Sequence, residues 1–256
     1  MLTIVTVCYN DVARLKKTVN SLHLFYGDMR YEHVVMDGGS TDIPHSLLSK
    51  LRQHKNFKFY SGKDAGIYDA MNKGAMMASG EYLLFLNCGD MIAAAPEGLA
   101  AILTEKVAFL KSDIAAFPYA LDGHSPAVGV TVSPRLSIHK LPTSHQGMIF
   151  KRGFVLDEPY CTKYKIAGDY DLYLRADQSK ILVLNTEWPL CVLEAHGVAS
   201  GNPYLAYKEY LAIARSRLRG LERVLAVARI IVRGCLAVVA KTLLPRRWVD
   251  KVRGRS

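Results

Sequence analysis

The sequence lacks the features that mark several large classes of protein. It contains no segment of low complexity and no repeat of fixed period. Charged residues make up only 22% of the 256 residues, whereas hydrophobic residues make up 50%, so the composition does not indicate a disordered chain. The length and the apolar content predict one large α/β domain with an appendage.

Cysteine is scarce and forms no pattern typical of metal sites or disulfide frameworks. The five cysteines are odd in number and include no C-x-x-C pair, and Cys8 and Cys191 lie inside apolar runs. Buried reduced thiols are the expected state of such residues, which favours the cytoplasm. The N-terminal residues run directly into a strand pattern, without the basic segment and longer apolar stretch of a signal peptide.

The positive charge is confined to one part of the chain. Residues 203–256 contain 13 Lys and Arg against 3 Asp and Glu, while residues 1–202 contain 20 of each class and are neutral. A charge asymmetry of this size indicates an anionic surface as partner, either lipid or nucleic acid.

Short apolar runs alternate with segments of helical periodicity in the first 90 residues. The pattern predicts strands at 2–7, 32–36, 57–60 and 82–86, with helices beginning near residues 11, 43 and 67. Further strands are expected at 181–184 and 190–193, and a loop that enters a helix at 166–178. This alternation predicts an α/β fold with a mostly parallel sheet and helices on both faces.

Four polar residues stand where predicted strands end. They are Tyr9, Asp37, Asp64 and Asp90. In open α/β sheets, ligands bind beyond the carboxyl ends of the strands, so we expect a ligand site at this edge. Asp42, in the same region, is interpreted as a helix cap rather than a ligand contact.

Seven motifs in a fixed order resemble the family 2 glycosyltransferases of the GT-A fold, especially the bacterial polysaccharide, O-antigen and colanic-acid enzymes. The resemblance covers residues 2–202. Its motifs are VCYN (7–10), DGGSTD (37–42), KDAGIYDAMNKG (63–74), GEY leading to NCGD (80–90), HQG (145–147), GDYDL (168–172) and HGVAS (196–200). The resemblance implies a Rossmann-like GT-A catalytic domain over residues 1–202 that uses a nucleotide-sugar.

By this resemblance, the donor nucleotide contacts residues that follow the first three strands. The ring of Tyr9 packs on the nucleobase, and Asp37 accepts hydrogen bonds from the base or ribose. Lys63 faces a phosphate, and Asp64 holds the ribose or orients the metal site. The structural alternatives are a rim tyrosine, a turn-forming Asp37, a capping Asp64 and a solvated Lys63.

The NCGD motif stands where the family usually has an Asp-x-Asp-Asp type motif that holds Mg²⁺ or Mn²⁺. Only Asp90 keeps a full charge, while Asn87 can add a neutral oxygen or line the acceptor or donor-sugar pocket. One carboxylate with phosphates and waters can hold Mg²⁺. The resemblance also implies His196 as a late ligand of the metal or diphosphate, and the alternative for Asp90 is a turn residue.

Asp169 is predicted to be the catalytic base, because it stands in the family's Glu-Asp motif, with Gly168 in place of the Glu. Asp171 is the better candidate for a helix N-terminal charge. By resemblance, His145 and Gln146 line the acceptor or donor-sugar pocket, although a lone histidine is often structural.

Residues 203–256 form the predicted basic, membrane-associating tail. If 205–244 is helical, most of its cations fall within an arc of about 120° beside a wide apolar face, with Arg217 as the exception. This pattern indicates an in-plane helix on an anionic membrane. A spanning helix at 224–244 and a helical pair packed on protein are the alternatives.

The leading interpretation is an inverting glycosyltransferase, peripheral on the cytoplasmic face of the membrane. It moves a sugar from a nucleoside-diphosphate donor, most commonly a UDP-sugar in this family, to a lipid-linked or polysaccharide acceptor in cell-surface glycan biosynthesis. A nucleic-acid-binding protein is the second class, but the tail has few interleaved aromatics, so no nucleic-acid partner is expected. A nucleotidyltransferase is the third class, and it would normally have a glycine-rich loop after the first strand, which this sequence lacks.

Overall fold

The computed structural model describes residues 1–22, 31–93, 97–107, 111–122, 141–194 and 202–243. Its main sheet has seven strands in the order β3-β2-β1-β4-β8-β6-β9. These strands are β1 Leu2–Cys8, β2 Tyr31–Asp37, β3 Phe57–Ser61, β4 Tyr82–Phe85, β6 Ile114–Ala116, β8 Met148–Lys151 and β9 Ile181–Val183. A second sheet has the order β5-β10-β7, formed by β5 Met91–Ile92, β7 Tyr119–Leu121 and β10 Cys191–Leu193.

The first four strands of the main sheet are parallel to one another. β1 pairs with β2 from Leu2 opposite Tyr31 to Cys8 opposite Asp37, and it pairs with β4 on its other side. β8 runs antiparallel to β4 and β6, whereas β6 and β9 are parallel. This register brings the ends of β1 and β2 to one edge, and the mostly parallel sheet confirms the predicted fold class.

Successive residues of the central strands pack into two apolar layers on opposite faces. Leu2 and Ile4 belong to one buried cluster, and Val5 belongs to the other. The two-residue period of a strand causes this division, and burial on both faces explains why the central strands are almost wholly apolar. The core therefore consists of two layers with the sheet between them.

Helices cover both faces of this sheet. They are α1 Val12–Ser21, α2 His45–Leu51, α3 Ile67–Met77, α4 Glu97–Ala101, α5 Arg152–Asp157 and α6 Gly168–Arg175. Asp11 caps α1 by accepting a hydrogen bond from the backbone N of Arg14 at 3.2 Å. Asp42 is also a cap, but for α1 rather than for the following helix, because it accepts from the backbone N of Val12 at 2.9 Å.

The remaining turns are short. A π-helical segment, Ile102–Val107, continues α4. Two 3₁₀ turns occur at His145–Gly147 and Gln178–Lys180. The first of these turns lies directly before β8 and carries two of the predicted site residues.

The tail consists of two helices, α7 Pro203–Arg217 and α8 Gly220–Leu243, rather than the single helix over 205–244 that the periodicity predicts. The chain leaves the helical conformation at Leu218, where φ is −95° and ψ is 154°, and Gly220 has a φ of 52°. The prediction of one continuous basic stripe is therefore wrong. The helical-pair alternative fits, because Ala214 and Leu218 pack against Ala226 and Ile230.

None of the helices within the described ranges is both long enough and apolar enough to cross a membrane. The segments 195–201 and 244–256 lie outside these ranges, and with them His196 and the last residues of the predicted basic tail. Whether residues 203–256 act as a separate unit stays a prediction.

Candidate active site

The loops after β1, β2 and β3 meet at one edge of the sheet. Tyr9 is 67% exposed there. A Cβ placed on Gly38 would lie 2.9 Å from Oδ2 of Asp64 and 3.1 Å from Cδ2 of Tyr9. Tyr9 and Asp64 therefore flank Gly38 closely, and the absent side chain at position 38 permits this approach. The result is an open aromatic face beside a carboxylate.

Asp37 organises the turn that follows β2. Its carboxylate accepts hydrogen bonds from the backbone N of Ser40 at 3.0 Å and from Oγ of Ser61 at 2.5 Å. It also accepts from Oγ of Ser40 and from the backbone N of Gly39. The turn-forming role, which the sequence left as an alternative, is therefore present in the structure. A contact between Asp37 and the nucleotide stays a prediction.

Asn10 connects two loops at the same edge of the sheet. Its backbone N donates to Oγ of Ser40 at 2.7 Å, and its Oδ1 accepts from the backbone N of Thr41 at 3.0 Å. Asn10 has a φ of 48°, in the left-handed region that asparagine tolerates better than most residues. The loops after β1 and β2 are thereby joined beneath Tyr9.

Lys63 and Asp64 lie in the exposed loop that leads into α3. Asp64 accepts through Oδ1 from the backbone N of Gly66 at 2.9 Å, and Gly66 has a φ of 119°. The carbonyl of Lys63 accepts from Nζ of Lys73 at 3.0 Å. Asp64 thus makes a hydrogen bond within the loop but does not cap α3, whose N-cap is Gly66, and its Oδ2 lies beside Gly38 as Tyr9 does.

Asp90 is buried and is held by neutral donors. Its Oδ2 accepts from Nε2 of Gln146 at 2.8 Å, and its Oδ1 accepts from the backbone N of Glu194 at 3.0 Å. Burial raises the pKa of Asp90 above its ordinary value, although these hydrogen bonds oppose the rise. The 145–147 turn is therefore joined to the NCGD loop through a carboxylate that is costly to ionise.

A second connection joins the same two loops to α6. Nδ2 of Asn87 lies 3.2 Å from Nε2 of His145, and Nδ1 of His145 lies 3.4 Å from Oδ2 of Asp169. If the Asn87 amide donates to Nε2, that nitrogen is unprotonated and Nδ1–H faces Asp169. Within the described part of the chain, Oδ1 of Asn87 is buried without a hydrogen-bond partner. Three predicted site residues thus form one chain of polar contacts.

Tyr68 explains the departure from the family's Glu-Asp motif. A Cβ on Gly168 would lie 2.7 to 2.8 Å from three ring carbons of Tyr68. The hydroxyl of Tyr68 donates to the carbonyl of Ile166 at 2.6 Å, which holds the ring in place. Since the ring occupies the space of a larger side chain, Asp169 alone supplies the carboxylate of this motif.

Asp171 is a structural residue. Its carboxylate is fully buried and accepts from Nε of Arg175 at 3.1 Å and from Nε of Arg217 at 2.9 Å. Arg217 is the cation that falls outside the predicted basic arc, and this contact with α6 explains its different orientation. The expected helix N-terminal position of Asp171 is confirmed, because it lies in the first turn of α6.

Two contacts near Asp169 could not be predicted from the sequence. The ring of Tyr68 over Gly168 leaves no sequence signal, because the two residues are a hundred positions apart in the chain. Glu209 on α7 accepts backbone hydrogen bonds from the loop before Asp169. Its only signal is that it is one of three acids in the basic segment 203–256.

Comparisons with known proteins match the N-terminal part of the chain most specifically. The model described as Glycosyl transferase family 2 matches residues 3–95. An uncharacterized glycosyltransferase of Mycobacterium tuberculosis (strain CDC 1551 / Oshkosh) is 38% identical over 89 residues, which are 34% of this chain and 33% of that protein. A PGL/p-HBAD biosynthesis glycosyltransferase of Mycobacterium bovis (strain BCG / Pasteur 1173P2) is 28% identical over 156 residues, 60% of each chain. The chain thus matches from a third to 60% of the length of these relatives.

Solved structures extend the likeness of fold to nearly the whole chain. S. aureus TarS 1–349 in complex with UDP-GlcNAc aligns with a TM-score of 0.69 at 18% identity, over 98% of this chain and 78% of that chain. The mannosyltransferase PcManGT from Pyrobaculum calidifontis, in complex with GDP-Man and Mn²⁺, aligns with a TM-score of 0.62 at 14% identity, over 99% and 79%. Residues 3–95 thus match the model of glycosyl transferase family 2, on a chain with the fold of GT-A glycosyltransferases.

Proposed function

We propose that this protein is a glycosyltransferase that moves a sugar from a nucleoside-diphosphate sugar to a hydroxyl acceptor. The observation that carries the proposal is the chain of contacts from Asn87 through His145 to Asp169. It joins the loop expected to face the diphosphate to the expected base. Tyr9 and Asp64 supply an aromatic face and a carboxylate beyond the ends of β1 and β3, which lie on either side of β2, where a nucleoside would bind.

We propose that the transfer is one displacement with inversion at the anomeric carbon. Asp169 takes the proton of the acceptor hydroxyl as the acceptor oxygen bonds to the anomeric carbon. The bond between that carbon and the phosphate oxygen of the donor breaks, and the nucleoside diphosphate leaves. His145 orients Asp169 by directing Nδ1–H toward its Oδ2. The Asp169 side chain is 13% exposed, so part of it is accessible while most of it is shielded.

We infer that Mg²⁺ or Mn²⁺ accompanies the donor, with Asp90 and Asn87 as the protein groups that would hold it. The buried, unpartnered Oδ1 of Asn87 supplies a neutral oxygen that hard divalent cations accept. The described residues contain no group of three His, Cys, Asp or Glu side chains suited to a metal, so most ligands would come from phosphates and water. When bound, such an ion would neutralise the leaving diphosphate. A contribution from His196 remains part of this proposal.

The donor nucleotide is tested by thermal unfolding of the protein with UDP, GDP, TDP and CMP, each with and without Mn²⁺. We propose UDP as the first candidate, because two of the aligned TarS structures are complexes with UDP and with UDP-GlcNAc. A bound nucleotide at 100 times its Kd adds about 2.7 kcal/mol to the free energy of unfolding. We expect the UDP shift to need Mn²⁺ and to shrink in Asp90→Asn, because that variant removes the carboxylate proposed to hold the ion. No shift with any nucleotide would contradict a donor site.

We also propose that the acceptor is a lipid-linked or polysaccharide glycan and that the protein is peripheral on the cytoplasmic face of the membrane. The outward face of α8 exposes apolar side chains by between 45% and 71%, namely Leu221, Val224, Leu225, Ile231 and Val232. Arg229 and Arg233 are exposed beside this face. An apolar face bordered by arginines suits the surface of an anionic bilayer. Such attachment would bring Asp169 to the surface where a lipid-linked acceptor lies.

Co-sedimentation with phosphatidylglycerol vesicles tests the attachment. The double variant Val224→Asp with Ile231→Asp places two carboxylates on the outward face of α8 and should reduce binding at least tenfold. Ala212→Asp, at an exposed position of α7, is the matched control and should bind as the wild type does. Equal binding of all three proteins would contradict the proposal. Vesicle-independent self-association that the double variant abolishes would assign the face to a second copy instead.

A further inference from the structure

Glu209 of α7 binds the polypeptide segment that leads to Asp169. Its side chain is only 8% exposed. Oε1 accepts from the backbone N of Lys165 at 2.8 Å, and Oε2 accepts from the backbone N of Ile166 and of Ala167, both at 2.9 Å. Three consecutive backbone N–H groups thus converge on one carboxylate, as they do in anion-binding nests.

This contact satisfies the N–H groups of the segment that leads into α6, up to its N-cap residue. The helix begins at Gly168, and its N-cap residue Ala167 makes no side-chain capping hydrogen bond. The first N–H groups of a helix have no partner within the helix, and a buried N–H without a partner is costly. A carboxylate at this end also interacts favourably with the helix dipole. Glu209 therefore holds residues 165–167, directly before the turn of α6 that contains Asp169.

A second contact holds the same helix on the other side of Asp169. Arg217, two turns after Glu209 on α7, donates from Nε to Oδ1 of the fully buried Asp171 at 2.9 Å. One helix thus contacts the residues just before Asp169 and just after it. Because both contacts are buried or partly buried, they resist displacement more than exposed pairs do.

The segment held by Glu209 also contacts the donor side of the site. Nζ of Lys165 donates to the carbonyl of Ala65 at 3.0 Å, next to Asp64. The carbonyl of Ile166 accepts from the hydroxyl of Tyr68 at 2.6 Å. A shift of residues 165–167 would therefore displace residues on both the donor side and the Asp169 side of the proposed reaction centre.

We propose that Glu209 is a positioning residue for Asp169, so that α7 belongs to the catalytic machinery rather than to a detachable tail. This inference rests on the proposed function. The residue touches neither donor nor acceptor and acts through the backbone of residues 165–167. A displacement of about 1 Å at a reacting group can cost a hundredfold in rate, which makes such a support important for turnover.

Glu209→Gln tests the proposal, because the amide keeps one acceptor oxygen and replaces the other by an N–H₂ group that faces backbone donors. We expect the amides of residues 165–167 to exchange with deuterium at least tenfold faster than in the wild type, in the absence of substrate. We expect kcat to fall about tenfold or more, with KM for the donor changed less than about twofold. Glu209→Asp, which keeps both oxygens on a shorter side chain, should recover part of the lost kcat.

Glu32→Gln is the matched control, since Glu32 is another buried glutamate that accepts a backbone hydrogen bond, from Ser79 at 2.7 Å, at the opposite end of the sheet. Faster exchange without a selective loss of kcat in Glu209→Gln would overturn the proposal. A loss of kcat no larger than that of Glu32→Gln would overturn it as well. A wild type that transfers no sugar from any donor would refute the proposed function separately, because the exchange measurement needs no substrate.

Discussion

The two ends of the central sheet hold their buried carboxylates differently. At the amino end, Glu32 accepts from Oγ1 of Thr3 at 2.7 Å and from Ser79, and it pairs with Nζ of Lys58 at 2.5 Å. At the carboxyl end, Asp90 is about equally buried, and among the described residues it accepts from the side-chain amide of Gln146 and from the backbone N of Glu194. One carboxylate has a cation beside it, and the other is held by neutral donors.

The electrostatic consequences of these surroundings are opposite. Burial by itself would raise the pKa of Glu32, but the hydrogen bonds from Lys58, Ser79 and Thr3 outweigh it and the pKa lies below its ordinary value. Burial dominates at Asp90, whose pKa is raised. The amino end is therefore built for stability, whereas the carboxyl end keeps a carboxylate whose charge an incoming cation could compensate. Raised carboxyl pKa values beside a strand-end site are typical of functional positions.

If the carboxyl end of the sheet serves function and the amino end serves stability, the largest loss of activity should come from Asp169→Asn. The amide cannot accept the acceptor proton, so transfer should fall about 10²–10⁴-fold, the usual contribution of a general base. Donor binding, measured by the UDP-induced shift in thermal unfolding, should change less than about twofold. Asp177→Asn, at an exposed position after the same helix, is the control and should keep full activity. Loss of donor binding in Asp169→Asn would move this residue to the donor site.

At the amino end, Glu32→Gln should affect stability far more than turnover. The variant breaks the contact with Lys58 and weakens the hydrogen bonds from Thr3 and Ser79, so we expect a loss of about 2–3 kcal/mol at neutral pH. Since the folded state lowers the pKa of Glu32, its contribution is present above the ordinary value of 4.5 and is lost as the pH falls below it. Urea unfolding at pH 7 and pH 3 measures this difference. An equal loss at both pH values would contradict the electrostatic explanation.

The smallest expected effect concerns His33, next to Glu32 on β2. Its ring is buried and Nε2 lies 3.0 Å from Oγ1 of Thr6, and burial lowers the pKa of His33 from 6.5 to about 3. Below pH 6.5 the unfolded chain takes up a proton that the folded protein excludes, so acid favours unfolding. The free energy of unfolding should fall by about 1.4 kcal/mol between pH 7.5 and pH 5.5.

His33→Gln removes the titrating group and should unfold with a smaller dependence on pH in this window. Urea unfolding at several pH values compares the two proteins, and Glu32 does not titrate in the same range because its pKa is lowered. Parallel pH dependences of the wild type and the variant would show that His33 titrates alike in the folded and unfolded states, which would contradict the effect of burial.

Local sequence patterns predicted the strands and helices of the main sheet, because each element depends on the apolar pattern of neighbouring residues. The alternation of apolar runs and helical periodicity placed the first four strands within one or two residues, since buried parallel strands are apolar throughout. The loops at the strand ends were predicted as well, because polar residues follow directly where each apolar run stops. The tail was predicted less well, because helical periodicity continues across the break at Leu218 and Gly220, where the chain turns back to pack on itself.

The sequence by itself determined the class of the fold, the edge where polar residues gather and the order of the family motifs. Tertiary structure alone decided how those residues are held. Tyr68 fills the space beside Gly168, Arg217 pairs with Asp171, and Glu209 holds the segment that leads into the helix carrying Asp169. Each of these contacts joins residues more than forty positions apart, and such pairs leave no periodic signal. Burial then sets their strength, because a buried polar group requires a partner that only the folded chain can bring to it.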